Sequence, residues 1–144
     1  MSTPDTGSQH PVFVYGTLKR GFPNFHYMTG ATFIGPARTV ESYPLVVGNT
    51  WFTPYLIPEP GQGLRVRGEL WQVPAAMMPA LDHLESVHLP TGYRRTMIAV
   101  ELESGTKVEA WTYFRERRYI TIVHTGPLDD YQDQRYVAAG DRED

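Results

Sequence analysis

Cysteine is absent from this chain of 144 residues. Its absence excludes disulfide bonds, thiolate nucleophiles and zinc sites built on thiolates. An excess of basic residues is also missing, because 13 lysines and arginines face 16 aspartates and glutamates, for a formal net charge of −3. Nucleic acid and anionic membrane surfaces bind basic faces, so neither is an expected partner.

Long hydrophobic runs are missing as well. No apolar stretch approaches the roughly 18–20 residues of a membrane-spanning helix, and residues 1–10 lack the apolar segment of a secretory signal. We therefore expect a soluble, cytoplasmic protein with a single folded domain. The expected organisation is a flexible leader at residues 1–11, the domain at 12–125 and a polar tail at 126–144.

The residues that are present favour short strands joined by turns. The chain has 12 prolines, 13 glycines and nine tyrosines, and proline and glycine break helices and form turns. Strands are predicted at 12–15, 31–36, 37–40, 43–47, 51–57, 64–73, 93–102 and 108–114. A short helix is predicted at 22–29 and a longer one at 74–85, where Met78, Leu81 and Leu84 recur at helical spacing. The predicted fold class is α+β, a small mixed β-barrel with peripheral α-helices.

The loop after the first predicted strand is the first candidate for a binding site. It reads Tyr-Gly-Thr-Leu-Lys-Arg-Gly at 15–21. Gly16 would let the backbone turn sharply and bring successive N–H groups to one point, which suits an anion or an oxyanion. A plain glycine turn explains the same spacing. It is not a nucleotide-binding P-loop, because Phe22 and Pro23 stand where lysine and serine or threonine are required.

The end of the predicted helix holds the candidate for proton transfer. If Leu81 and Leu84 face the core, Glu85 lies at the rim of a cavity beneath the barrel. A partly apolar pocket raises a carboxyl pKa, which lets the group move protons near neutral pH. A solvated charge at a helix end is the commoner role of such a glutamate.

Other patterns point to no particular chemistry. The histidines show no metal-binding spacing, so no metal site is expected, and no Gly-x-Ser-x-Gly elbow is present, although composition alone leaves a Ser-His-Asp triad open. The charges at 115–118 are most simply a solvated face or tail. The histidines are His10, His26, His83, His88 and His124.

Five segments, taken in order, resemble one family. They read VFVYGTLKRGFPN at 12–24, RTVESYPLV at 38–46, VRGELWQV at 66–73, LDHLE at 81–85 and YRRT at 93–96, followed by the strand to Tyr113. Together they resemble the γ-glutamylcyclotransferase-like family, and most closely its γ-glutamylamine cyclotransferase (AIG2-like) branch. The resemblance covers most of the domain.

The resemblance implies a small β-barrel enzyme that acts on a small-molecule γ-glutamyl amine. The product would be 5-oxoproline with a free amine, by acyl transfer of lyase type, without a cofactor and in a monomer or homodimer. Glu85 would be the catalytic acid and base. The substrate-binding residues would be Tyr15, Gly16, Thr17, Leu18, Val47, Tyr93 and Tyr113.

The chain departs from that branch after Phe114. The branch has a segment rich in tyrosine, serine and glycine there, whereas this chain reads RERRY at 115–119 and LDDYQD at 128–133. If this segment borders the pocket for the leaving amine, several amines remain open: ε-lysine, a peptide of glutathione type, a polyamine or an antibiotic intermediate.

Two functions of other classes compete with the enzyme. A non-catalytic barrel could bind a small carboxylate or amino acid through the same loop, since folds often keep a pocket without its reaction. The presence of Glu85 in register favours the enzyme over this binder. An interaction module that uses exposed tryptophans and tyrosines is disfavoured by the absence of repeats and of an apolar stripe.

Overall fold

The strands dominate the structure, a computed structural model that describes residues 8–142. The strands are β1 (Gln9–Val14), β2 (Thr32–Tyr43), β3 (Leu45–Gly48), β4 (Thr53–Leu56), β5 (Leu64–Pro74), β6 (Arg94–Leu102), β7 (Lys107–Phe114) and β8 (Val123–Thr125). The α-helix α1 spans Met78–Leu84, and 3₁₀ helices span Phe25–Met28, Ala75–Met77, Arg117–Tyr119 and Ala139–Asp141.

Five of the strands close into a barrel. They neighbour one another in the order β1-β5-β2-β6-β7, and β7 pairs back with β1 in parallel, where Val12 lies opposite Trp111. The other pairs around the ring are antiparallel. Closure leaves these strands without an open edge. The predicted small mixed β-barrel is therefore confirmed.

Three short strands extend the sheet beyond the barrel. β4 pairs in parallel with β7 where Leu56 lies opposite Phe114, β3 pairs with β4, and β8 pairs with β3. The turn between β3 and β4 holds Asn49 and Phe52 at positive φ, a conformation that asparagine tolerates more easily than phenylalanine does. β4 lies between β7 and β3, so it is an interior strand although it contains Pro54.

Several predicted elements differ from the structure, and the helix predicted at 22–29 is only a 3₁₀ turn at Phe25–Met28. β2 runs unbroken through Gly35 and Pro36, because register shifts on both sides of this pair absorb the irregularity instead of ending the strand. The predicted helix at 74–85 is shorter: Pro74 closes β5, and α1 begins at Met78. Pro79 lies in the first turn of α1, where a missing N–H costs no helical hydrogen bond.

Two buried clusters form most of the core. The larger cluster takes side chains from all five barrel strands, and Tyr131 from the C-terminal segment joins it, fully buried. The second packs Met78 and Leu81 of α1 against β1, β5 and β7. β1 contributes Phe13 to the first cluster and Val12 to the second, so its second half is buried on both faces. This explains its continuous apolar run.

The first strand begins inside the predicted leader. Residues 1–7 of the predicted leader lie outside the described residues, and Gln9–Val14 already belong to β1. The predicted boundaries at residues 11 and 125 stay predictions. No helix among residues 8–142 has the length and apolar character needed to cross a bilayer.

Candidate active site

A cavity of about 220 Å³ opens where the first barrel strand ends. The loop at 15–18, the end of α1 and the C-terminal segment surround it. Of the predicted site residues, the cavity brings together all but one: Tyr15, Gly16, Thr17, Leu18, Glu85, Tyr93 and Tyr113. Val47 does not line it, because it lies fully buried in the core on β3.

The loop after β1 is held in a fixed shape. The amide of Lys19 donates to the carbonyl of Gly16 at 3.1 Å, and the amide of Asn24 donates to the carbonyl of Thr17 at 2.9 Å. Asn24 also donates through Nδ2 to the Thr17 hydroxyl at 2.9 Å. Within residues 8–142, the amides of Thr17 and Leu18 have no acceptor at hydrogen-bond distance. These two amides are free to donate to a ligand.

Gly16 is needed for close packing against β4 rather than for the backbone conformation of the predicted sharp turn. Its φ is not in the left-handed region, so the backbone itself would accept another residue. A Cβ there, however, would lie 2.7 Å from Cγ of Pro54, inside van der Waals contact. The glycine therefore lets the loop pack directly against β4.

Glu85 directly follows α1 and faces the cavity. Its amide donates to the carbonyl of Leu81 at 3.0 Å, and its carbonyl accepts from the amide of Tyr93 at 3.1 Å. Ser86 follows at a positive φ of 55°, and Gly92 packs on its backbone with no room for a Cβ. The tight loop from Ser86 to Gly92 thus returns the chain beside Glu85.

The carboxyl group of Glu85 has no partner of its own. Among the described residues no side chain donates a hydrogen bond to it and no cation pairs with it. The side chain is half-buried and meets solvent through the cavity. Burial penalises the charged form and raises the pKa of Glu85 from 4.5 to about 7. A carboxyl with this pKa can accept and return a proton near neutral pH.

Three tyrosines of the cavity wall are hydrogen-bonded within the protein. Burial is the largest cause that raises the pKa of the Tyr15, Tyr93 and Tyr113 hydroxyls, and the charge of Glu85 adds to it. All three therefore stay protonated at neutral pH. The Tyr15 hydroxyl donates to the Tyr113 carbonyl at 2.6 Å. The Tyr93 hydroxyl donates to the Pro54 carbonyl at 2.8 Å, and the Tyr113 hydroxyl donates to Asp82 Oδ1 at 2.8 Å.

The C-terminal segment completes the wall. Nζ of Lys19 lies 2.9 Å from Oδ1 of Asp130 and donates to the Tyr131 carbonyl at 2.8 Å. Asn24 donates through Nδ2 to the hydroxyl of Tyr136 at 3.1 Å, and Tyr136 lines the cavity. The segment in which the sequence departs from the resembled branch thus borders the site.

The sequence did not reveal several residues of the wall. Arg115 lines the cavity, whereas Arg117 and Arg118 beside it are exposed, so the charges at 115–118 are not one solvated face. The period of two along β7 places Arg115 on the face of Tyr113, and this is the signal that could have found it. Tyr136 and Arg142 carry no local signal, because they reach the cavity only through the path of the tail.

Metal-ligating side chains do not cluster in the part of the chain that the structure describes. The rings of His83 and His88 stack at 5.3 Å on the exposed side of α1. The charged groups of the cavity wall are Glu85, Arg115 and Arg142 among residues 8–142, and this set offers a single carboxylate. Such a set does not suit a divalent cation.

The fold and the cavity place the chain in a class of small β-barrel proteins with one carboxyl beside a loop of free amides. A crystal structure of an AIG2-like protein from Mus musculus has the same fold, with a TM-score of 0.80 and 31% sequence identity over 93% of this chain and 99% of that one. A γ-glutamylaminecyclotransferase from Bos taurus is 40% identical over 136 residues, which cover 90% of this chain and 79% of the relative. γ-Glutamylaminecyclotransferase C from Danio rerio is 41% identical over 116 residues, 74% of this chain and 75% of that protein.

The family model described as gamma-glutamyl cyclotransferase, AIG2-like, matches residues 12–138. The chain belongs to this family.

Proposed function

We propose that this chain is a γ-glutamyl cyclotransferase that releases 5-oxoproline and a free amine from a γ-glutamyl amine, with Glu85 as the acid and base. The observation that carries the proposal is the unpartnered Glu85 carboxyl, with its pKa raised to about 7, in a cavity beside free loop amides. Family membership supports the reaction class.

The substrate supplies its own nucleophile. Its α-amine attacks the γ-carbonyl carbon, a C–N bond forms to close the lactam, and the bond from that carbon to the leaving nitrogen breaks. No water or protein nucleophile is consumed. The protein must bend the glutamyl chain until amine and carbonyl meet at about 3–3.5 Å. The small cavity between the loop and Glu85 suits this bent conformation.

One carboxyl can carry protons from the attacking nitrogen to the leaving nitrogen. The attacking nitrogen enters as an ammonium and ends as a lactam N–H, so it loses two protons in all. The leaving nitrogen enters as an amide N–H and ends as an ammonium, so it gains two. Glu85 accepts the first proton before attack and returns it as the C–N bond breaks. The second passes the same way or through solvent in the cavity.

The loop amides supply the fixed dipoles. The free N–H groups of Thr17 and Leu18 bind the glutamyl α-carboxylate or the oxyanion that develops on the γ-carbonyl oxygen. Tyr15, Tyr93 and Tyr113 form the wall that shields the reacting atoms. The enzyme works without a metal or an organic cofactor, in the cytoplasm, as a monomer or homodimer.

The test is 5-oxoproline release, followed by mass spectrometry over a panel of γ-glutamyl amines. Wild type should release 5-oxoproline, and Glu85→Gln should lose at least about a hundredfold of the rate, which is the low end of general acid–base catalysis. Glu59→Gln is the matched control, because Glu59 pairs with Arg117 at 2.8 Å outside the cavity. It should keep the wild-type rate.

Two results would contradict the proposal. A folded wild type that releases no 5-oxoproline from any panel member would favour the non-catalytic barrel that binds a small carboxylate. Undiminished release by Glu85→Gln would leave the reaction in place and remove Glu85 from it.

A further inference from the structure

The direction of the two free loop amides depends on the carbonyls in the same peptide units. In a trans peptide the N–H and the C=O share one plane and point in opposite directions. The Gly16 carbonyl belongs to the unit of the Thr17 N–H, and it accepts from the amide of Lys19. The Thr17 carbonyl belongs to the unit of the Leu18 N–H, and it accepts from the amide of Asn24. Whatever holds these two carbonyls therefore also orients the free N–H groups.

Asn24 holds Thr17 through two hydrogen bonds. Its backbone amide donates to the Thr17 carbonyl at 2.9 Å, and its Nδ2 donates to the Thr17 hydroxyl at 2.9 Å. The first bond fixes the peptide plane and the second fixes the side chain on the same Cα, so together they resist rotation of the Thr17 backbone. Only 7% of Asn24 and 8% of Thr17 are exposed. Such bonds are stronger in a buried setting than in water.

The side chain of Asn24 does not serve the helix that it precedes. Asn24 is the N-cap of the 3₁₀ helix Phe25–Met28, a position where an asparagine side chain commonly accepts from a backbone amide of the first turn. Among the described residues its side chain makes no such bond. Its Nδ2 donates instead to the Tyr136 hydroxyl at 3.1 Å, 112 residues along the chain. Because Nδ2 carries two hydrogens, one is used on the loop and the other on the C-terminal segment.

Tyr136 is itself held by the surrounding fold. The amide of Val137, the next residue, donates to the carbonyl of Trp51 at 3.1 Å, in the turn between β3 and β4. The guanidinium carbon of Arg142 lies 5.7 Å from the centroid of the Tyr136 ring, and Nε of Arg142 donates to the Val137 carbonyl at 3.0 Å. The Tyr136 hydroxyl therefore gives the Asn24 side chain a fixed partner.

We propose that Asn24 is a positioning residue for the reaction: bound to Tyr136 of the C-terminal segment, it holds Thr17 so that the free loop amides keep the direction that the reaction needs. The inference rests on the proposed function, in which the substrate uses these amides. Asn24 acts through Thr17 and takes no part in bond making or breaking. A displacement of about 1 Å in a positioning group can cost on the order of a hundredfold in rate.

The first experiment measures kcat and KM for 5-oxoproline release per mole of folded enzyme, on the γ-glutamyl amine that wild type converts fastest. Asn24→Ala should lower kcat/KM by at least about tenfold. Thr17→Val removes the hydroxyl that accepts from Asn24 and should cause a comparable loss, whereas Thr17→Ser keeps the hydroxyl and should recover most of the wild-type value. The matched control is Gln134→Ala, which removes an exposed amide side chain from the C-terminal segment and should leave kcat/KM unchanged.

A double-mutant cycle separates positioning from direct contact with the substrate. If Asn24 acts through Thr17, then Thr17→Val should cost little more once Asn24→Ala is present. Tyr136→Phe should lower kcat/KM in the wild type and have little effect in the Asn24→Ala background for the same reason. Losses that multiply in both cycles would mean that the side chains act independently, and they would overturn the proposal.

A second measurement reports on the loop without turnover. In ¹⁵N relaxation a rigid backbone amide has an order parameter of about 0.85, and a flexible one falls below about 0.6. Asn24→Ala should lower the order parameters of the Thr17 and Leu18 amides toward the flexible value, and Gln134→Ala should not. A merely stabilising role of Asn24 would lower the free energy of unfolding and leave these two amides rigid in the folded protein.

The outcomes separate this inference from the proposed function. An active wild type together with unchanged kcat/KM in Asn24→Ala, or with Thr17 and Leu18 amides that stay rigid in that variant, would overturn the positioning role and leave the cyclotransferase in place. A folded wild type that releases no 5-oxoproline from any γ-glutamyl amine would overturn both.

Discussion

The stability of this protein should depend on pH through Glu85, in the direction opposite to that of an ordinary ion-paired carboxylate. Its pKa is about 7 in the folded protein against 4.5 in the unfolded chain. Between these values the folded state binds more protons than the unfolded state, so the free energy of unfolding falls as pH rises through the window. Below the window Glu85 is protonated in both states, so burying its side chain no longer lowers the free energy of unfolding through its charge.

The magnitude follows from the size of the shift. One pKa unit corresponds to about 1.36 kcal/mol, so the full shift corresponds to roughly 3 kcal/mol above the window. The half-buried carboxyl still meets solvent through the cavity, and screening lowers this to about 1–3 kcal/mol. Glu85→Gln keeps the shape and removes the charge. Relative to wild type it should be close to neutral at about pH 4 and more stable by about 1–3 kcal/mol at about pH 8.

The assay is urea denaturation followed by circular dichroism, for both proteins at both pH values. Acidic groups such as Glu59 and Asp133, whose pKa values arginine neighbours lower, are present in both proteins and cancel in the difference. A difference in unfolding free energy that does not change with pH would refute the reasoning. So would a wild type that gains stability over the variant as pH rises.

Two further substitutions test the wall of the cavity. Gly16→Ala places a Cβ 2.7 Å from Pro54, so we expect kcat/KM for 5-oxoproline release to fall at least about tenfold as the loop shifts. The control is Gly140→Ala, whose Cβ meets nothing within 4 Å and which should leave kcat/KM unchanged. A Gly16→Ala enzyme with wild-type kcat/KM would contradict the packing argument. Tyr131→Ala should lower the free energy of unfolding by about 3–5 kcal/mol because the ring is fully buried. Tyr131→Phe should leave the free energy of unfolding nearly unchanged, because the hydroxyl has no partner among the described residues. Equal losses of unfolding free energy in the two variants, measured by denaturation, would show that the hydroxyl and not the ring matters.

Local patterns predicted most of the strands and the place of Glu85 at the end of the helix. The apolar run before Gly16 predicts β1, and the residues of that run are buried on both faces of the strand. The prediction failed where long-range pairing overrode local signals. β2 continues through Gly35 and Pro36 because β5 pairs with both residues. Gly16 is explained by Pro54, which lies on a strand far along the chain.

The reaction class was predictable before the fold was known, because the resemblance that implies it rests on short contiguous segments such as the loop at 15–18 and the helix end at Glu85. Only the tertiary structure shows that these segments meet at one cavity. The raised pKa of Glu85 is a desolvation effect, summed over groups that β1, β4 and β7 bring together around the cavity. The wall formed by Arg115, Tyr136 and Arg142 exists only because the barrel closes and the tail returns across Lys19. Burial and charge are sums over neighbours in space, so they follow from the closed fold and not from the order of residues.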